Sequence, residues 1–321
     1  MTEAPDAPEL PDLPHGVALA WGMAASPQRG PKREMSVERI VEAAVALADR
    51  DGLGAVSMAA VAKALGFTPM SLYRYVTAKD DLLLLMSEEA AGLPPLAEVG
   101  AAPTGWRIEA ERLYRAQLAV LLAHPWMLSL PITGTPATPS TAAWMDAYLA
   151  AFAGSALGPD DRIAAMLAIM GQARWAGTVA AGYAETARTS GLSMPEIAAR
   201  ESALFLALVD GDEYPHARAA LQAGVMTSAQ DPMAFGIERV LDGIEAHIAK
   251  TVASRAGAAS GQGVAADPAV LAEDPALAAD KRLRAAAKSV REAEKALRTA
   301  QKNERQVRRE ALERVARSAG S

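Results

Sequence analysis

Ser57-Met58-Ala59-Ala60-Val61-Ala62-Lys63-Ala64-Leu65-Gly66-Phe67-Thr68-Pro69-Met70-Ser71-Leu72-Tyr73-Arg74-Tyr75-Val76-Thr77-Ala78-Lys79-Asp80-Asp81 decides how this chain folds. It reads as two short helices joined by a tight turn, followed by the start of a third. Ser57 can cap the first, because its hydroxyl can accept an orphan backbone N–H. Val61 and Leu65 share one face. Ala62 lets a neighbouring helix approach, and Gly66 can take the positive φ that ends a helix and turns the chain. Thr68 is placed to cap the second helix, with Pro69 at its first position, where a missing N–H costs nothing. Leu72 and Val76, four apart, point inward. Met70, Ser71, Arg74 and Tyr75 fall on the other side, with Tyr73 at its edge. A helix of about seven residues that turns polar, aromatic and basic side chains outward suits a DNA major groove. The same spacing also fits an ordinary helical hairpin with a solvated polar face.

A wider set of residues resembles a family. Ile40-Val41, Ala43-Ala44, Leu47-Ala48, Asp51-Gly52-Leu53, Ser57-Met58, Val61-Ala62, Leu65-Gly66, Leu72-Tyr73-Arg74-Tyr75-Val76 and Lys79-Asp80-Asp81-Leu82-Leu83 occur in order and spacing similar to the DNA-binding domain of the TetR (tetracycline repressor) family of bacterial regulators. Residues 93–253 resemble that family's helical effector-binding and dimerisation domain. The resemblance implies an all-α homodimer. It would bind a roughly palindromic double-stranded operator and respond to an unknown small-molecule effector.

Composition agrees with an all-helical chain. It is 51% hydrophobic but only 5% aromatic, with no cysteine, and no sustained alternating strand pattern appears. Without cysteine there are no disulfides and no thiolate metal sites. The N-terminus lacks the form of a signal peptide, and Leu82-Leu83-Leu84-Leu85-Met86 is too short to span a membrane. A cytoplasmic location without a membrane partner is the expectation. The formal net charge of −6 looks wrong for a DNA binder, but charge is local. Arg29 to Lys79 holds eight Lys/Arg against five Asp/Glu, about +3, a modest field that leaves binding to placed contacts.

Four segments follow from the patterning. Residues 1–35 form an arm with a basic end. Its first 28 residues carry four acids, no Lys or Arg, and five prolines, and read as disordered. Val17, Leu19, Trp21 and Met23 interrupt that composition and can dock weakly elsewhere on the chain. Lys32 and Arg33 can touch phosphate or enter a minor groove; a solubilising linker is the other reading. Residues 36–92 form the helix-turn-helix domain. Its first helix is capped by Ser36, and its last opens near Ala78 on the capping box Thr77-Ala78-Lys79-Asp80. Residues 93–253 form the bundle, with helices expected at about 104–123, 138–152, 160–189, 193–209, 215–223 and 232–252. Residues 254–321 contain a flexible linker and a helix-favouring tail. From 275 onward thirteen Lys/Arg face six acids. Leu283, Val290 and Leu297 recur every seven residues until Glu304 breaks the seam, so a solvated basic helix and a weak coiled coil both fit.

For DNA the candidates are Lys32, Arg33, Ser57, Thr68, Pro69, Met70, Ser71, Tyr73, Arg74, Tyr75 and Lys79. Arg74 can pair with O6 and N7 of a guanine. Thr68 and Ser71 can bond bases or phosphates, and Pro69 and Met70 can meet a thymine methyl. Lys79 sits in a first helical turn, where a phosphate can also meet the helix N-terminus. Tyr73 and Tyr75 resemble the family's aromatic pair, which reaches the DNA backbone; packing against the first helix of the domain is the alternative for both. For the effector the candidates are Trp126, Trp144, Met145, Tyr148, Met170, Gln172, Trp175 and Tyr183, each equally readable as core. By resemblance the dimer uses the helices at 160–189 and 232–252. The family's namesake takes its ligand with magnesium, but the four histidines here (15, 124, 216, 247) lack metal-ligand spacing, so no metal and no cofactor is expected. No nucleophile–base pair or phosphate loop suggests an enzyme. A helical ligand-binding or adaptor protein without sequence-specific DNA binding is the stronger alternative.

Overall fold

The computed structural model describes residues 13–23, 35–95, 105–132, 134, 137–259 and 292. Every α-helix named below lies among residues 13–259, which form one compact unit. Lys32, Arg33 and the basic tail expected beyond 275, apart from Glu292, lie outside the described residues.

Helix starts and stops follow local chemistry. α1 spans His15–Ala20 and α2 spans Val37–Asp51, where the Ser36 hydroxyl accepts from the Arg39 amide at 3.3 Å. α3 spans Met58–Leu65; the Ser57 hydroxyl accepts from the Ala60 amide at 3.1 Å. Gly66 then turns the chain at φ 77°, ψ 24°. The Phe67 amide reaches back to the Ala62 carbonyl and the Gly66 amide to that of Lys63, a Schellman-type stop that needs the left-handed residue. α4 is only Pro69–Leu72, and α5 is Lys79–Ala91.

Four expectations change here. The recognition helix is four α-helical residues rather than seven. After Leu72 the chain tightens, with the Tyr75 and Val76 amides both bonding the Leu72 carbonyl, which draws Leu72 and Val76 together into the core. Thr68 precedes α4 but caps no amide; its hydroxyl lies 2.9 Å from that of Ser71. The 77–80 capping box does not form, since Thr77 donates to Asp81 at 2.8 Å instead. And residues 13–23, within a stretch expected to be disordered apart from weak docking by Val17, Leu19, Trp21 and Met23, are ordered by tertiary contact: Val17 is buried, and Leu19 and Ala20 pack on the N-terminal core.

The N-terminal core joins α2, α3, α4 and α5 through Ile40, Val41, Ala44, Val61, Leu72, Val76, Leu82 and Met86. The second layer of the molecule is a bundle. α6 spans Trp106–Ala123, α7 Pro139–Ala151, α8 Pro159–Ser190, α9 Met194–Leu208, α10 Pro215–Gln222 and α11 Pro232–Ala259. α8 is its axis, packed on α6, α7 and α11. Ile169, Phe152, Tyr148, Leu113 and Leu241 form the second core, and Trp106 lies 5.7 Å from Phe152 between ring centroids. The capping box Ser193–Glu196 opens α9 as the pattern predicts, with the Ser193 amide donating to Glu196 at 2.8 Å. α11 continues past 253 to Ala259, into the stretch expected to be a linker.

Candidate DNA interface and effector cavity

Two sites emerge, one at each end of α5. At the first, the turn between α3 and α4 pushes one short helix outward. Met70 is 75% and Tyr73 46% exposed. Thr68, Pro69 and Arg74 are also exposed, and Ser71 is half-buried. Among the described residues no hydrogen bond or ion pair engages the Arg74 side chain, so its guanidinium is available to a partner. Tyr75 differs: it is half-buried and packs on the N-terminal core, which limits what its ring can offer outside. Ser57 and Lys79 are exposed at the start of α3 and α5, where free backbone N–H groups favour an anion. Leu72 alone in α4 is buried, so it anchors the whole element.

At the other end of α5, a cavity of about 250 Å³ opens among α6, α7 and α8. Its lining is Ala91, Gln117, Val120, Leu121, Met127, Ser140, Thr141, Trp144, Met145, Ile163, Met166, Leu167 and Met170. Among the described residues no charged side chain lines it. Gln117, Ser140 and Thr141 supply the polar side-chain groups, and four thioethers give walls that adapt to shape.

Of the eight effector candidates, Trp144, Met145 and Met170 meet at this cavity. The other five lie elsewhere. Trp126 is buried in the N-terminal core and donates its indole N–H to Asp49 at 2.7 Å. Tyr148 is fully buried behind the cavity and donates to Gln117 Oε1 at 3.3 Å. Burial, and then Tyr114, push its phenol well up, so it remains a donor. Gln172 turns toward α11, where a Cβ on Gly236 would sit 2.2 Å from its Nε2. Trp175 is 58% exposed, and Tyr183 donates to Glu201 at 2.8 Å. Three lining residues outside that candidate set did carry a signal: Ile163, Met166 and Leu167 fall with Met170 on one face of α8 at spacings of three and four.

The sites are joined by polar clamps onto α5 and α2. Glu88 of α5 accepts the Ser140 amide at 2.7 Å and the Ser140 hydroxyl at 2.5 Å, capping α7 from outside. Trp144 donates its indole N–H toward the Ala91 and Gly92 carbonyls at 3.3 and 3.1 Å. Asp49 of α2 accepts from His124 Nδ1–H as well as from Trp126, both at 2.7 Å. Ser140 and Trp144 therefore touch both the cavity and α5. Glu88→Ala is expected to strand a buried amide, costing about 1–3 kcal/mol and lowering the melting temperature by about 2–12 °C. Glu88→Gln, which keeps an acceptor for that amide, should lose less. Thermal unfolding of both variants checks this.

A helix-turn-helix with an outward recognition helix, tied through one helix to an uncharged cavity, defines a ligand-responsive DNA-binding regulator. The comparisons give the family. Residues 40–86 match the family described as bacterial regulatory proteins, tetR family, and residues 99–248 match the tetracyclin repressor-like C-terminal domain. The chain is 32% identical over 243 residues to the HTH-type transcriptional repressor DrrR1 of Streptomyces coeruleorubidus, covering 74% of this chain and 88% of that protein. A crystal structure of a possible TetR family regulator from Streptomyces coelicolor A3(2) superposes with a TM-score of 0.53 at 27% identity, over 66% of this chain and 99% of that one. The fold is also that of ActR from Streptomyces coelicolor, solved with actinorhodin, with a TM-score of 0.55 at 20% identity over 67% of this chain and 98% of that one. This chain belongs to the TetR family of transcriptional regulators.

Proposed function

We propose that the chain is a homodimeric, cytoplasmic repressor that leaves a palindromic operator when a neutral, largely apolar small molecule fills the cavity. The observation that carries this reading is the shared use of Ser140 and Trp144, which line the cavity and hold the C-terminal half of α5. Thr68, Pro69, Met70, Ser71, Tyr73 and Arg74 read the groove. Ser57 and Lys79 bind phosphate, and Lys32, Arg33 and Tyr75 add backbone contacts. Trp144, Met145 and Met170, with Gln117 and Thr141, hold the effector. The uncharged lining favours a neutral ligand, because an ionised group would be desolvated without a partner. The cavity lies just below the usual ligand-pocket range of about 300–1,000 Å³, so its thioethers must shift to admit a multi-ring compound.

Dimerisation uses the outward faces of α8 and α11, where Trp175, Phe235 and Val252 are exposed. A single recognition helix reads only a few base pairs, so two related by a two-fold axis are needed for useful specificity. The ligand acts only if it binds the DNA-incompetent arrangement better than the competent one. Relatives of this kind include the repressor DrrR1, and a TetR-fold neighbour has been solved with actinorhodin.

Selection of bound sequences from random duplex DNA at about 150 mM salt, where weak non-specific contacts are suppressed, tests the reading. A two-fold symmetric motif, with two protomers per duplex by sedimentation, is expected. The absence of any motif overturns it and favours a helical ligand-binding adaptor. A ligand that quenches Trp144 yet leaves operator affinity unchanged overturns the induction step.

A further inference from the structure

Residues 13–23 lie outside both family matches, 40–86 and 99–248, yet they are held in place at two ends. We propose that this segment is a strap that couples the entry of α7, beside the effector cavity, to the first turn of α5, just after the recognition helix. The proposal rests on the regulator reading above.

At the α5 end, the Gly16 amide donates to Asp81 Oδ1 at 2.9 Å. His15 Nδ1 lies 3.3 Å from Asp81 Oδ2 and 3.3 Å from Thr77 Oγ1. Thr77 donates to that same Oδ2, so three groups converge on one carboxylate two residues after Lys79. The approach is close. A Cβ on Gly16 would stand 2.8 Å from Asp81 Oδ1 and 3.1 Å from Asp81 Cα, and the second of these is backbone that cannot swing aside. In the middle, Val17 is buried and Leu19 packs on the N-terminal core. At the far end, the Trp21 indole N–H donates to the Ala137 carbonyl at 2.8 Å. Ala137 precedes the buried Thr138 and stands three residues before Ser140, which lines the cavity and binds Glu88.

A six-residue helix is far below the length that is stable alone in water. Its order therefore comes from these two attachments and the apolar contact between them. Such a segment docks and releases as one unit. Motion at the α7 entry then changes the hold on α5, and motion of α5 on DNA changes the hold on the α7 entry. The Glu88–Ser140 clamp joins the same two helices near the other end of α5, so the strap makes the connection two-point.

Amide hydrogen exchange of the full chain, followed by mass spectrometry, tests the coupling for wild type, Gly16→Ala and Trp21→Phe. Each substitution loosens one end only. Gly16→Ala is expected to raise exchange about tenfold in residues 137–145 as well as in 13–23. Trp21→Phe, a mild change at a half-exposed site, is expected to do the same in residues 77–85. Adding the duplex recovered by the selection above should alter exchange at 137–145 in wild type and do so less in either variant. If each substitution changes exchange only at its own end, the strap is inert packing and the proposal is overturned. Equal DNA effects at 137–145 in all three proteins overturn it as well. A chain that binds no duplex counts against the regulator reading instead, and the comparison without DNA still decides the strap.

Discussion

Arg74→Ala is expected to lower operator affinity by about 1–3 kcal/mol for each recognition helix, about 5- to 150-fold, with the losses multiplying when both subunits carry the change. The side chain is exposed, and among the described residues it makes no hydrogen bond or ion pair, so its removal breaks no internal polar interaction. Melting temperature and ligand affinity should therefore stay unchanged. Base readout also predicts a selective loss. Discrimination should relax at one position in each half-site, whereas a phosphate-binding lysine such as Lys79 should weaken all sequences alike and flatten the salt dependence. Fluorescence anisotropy with the selected duplex and single-base variants measures both. Equal affinity of wild type and Arg74→Ala would remove Arg74 from the interface.

Leu72→Ala should be more damaging to the fold and as damaging to binding. Leu72 is the one buried residue of a four-residue helix and is fully buried. Its loss leaves a cavity between α2, α3 and α5 at a cost of about 2–5 kcal/mol. α4 is too short to hold its shape without that anchor. DNA affinity should fall even at temperatures where the chain remains folded, because Met70, Tyr73 and Arg74 lose a fixed base. Denaturant unfolding and anisotropy on one preparation separate the two effects. Leu72→Met, similar in volume, should retain most of both.

The helices were legible because their ends are set within a few residues. Ser36, Ser57 and Ser193 offer a side-chain oxygen to nearby amides, and Gly66 accepts a left-handed conformation that other residues resist. The buried stripe of α2, with Ile40, Val41, Ala44, Leu47 and Ala48, needed only helical periodicity. Where two local partners competed, the pattern failed. Thr77 has Asp80 three residues on, as a capping box requires, but it bonds Asp81, which is also engaged by Gly16 from another helix.

The cavity was legible only as a region. α6, α7 and α8 each bury more than one side, and a tryptophan's chemistry does not say which side it takes. Trp126 went to the N-terminal core with Asp49, Trp144 to the cavity with α5, and Trp175 to the surface. The order of the α-helices from α2 onward, the helix-turn-helix and the outward Arg74 were determined by the sequence alone, through caps, turns and periodicity that act over one or two helical turns. The docking of residues 13–23, the capping of α7 by Glu88 and the choice of cavity walls were decided only by the tertiary structure. The hydrogen bonds that dock residues 13–23 and cap α7 join residues 52 to 116 positions apart, and no local pattern encodes which distant group will complete a hydrogen bond or leave a space unfilled.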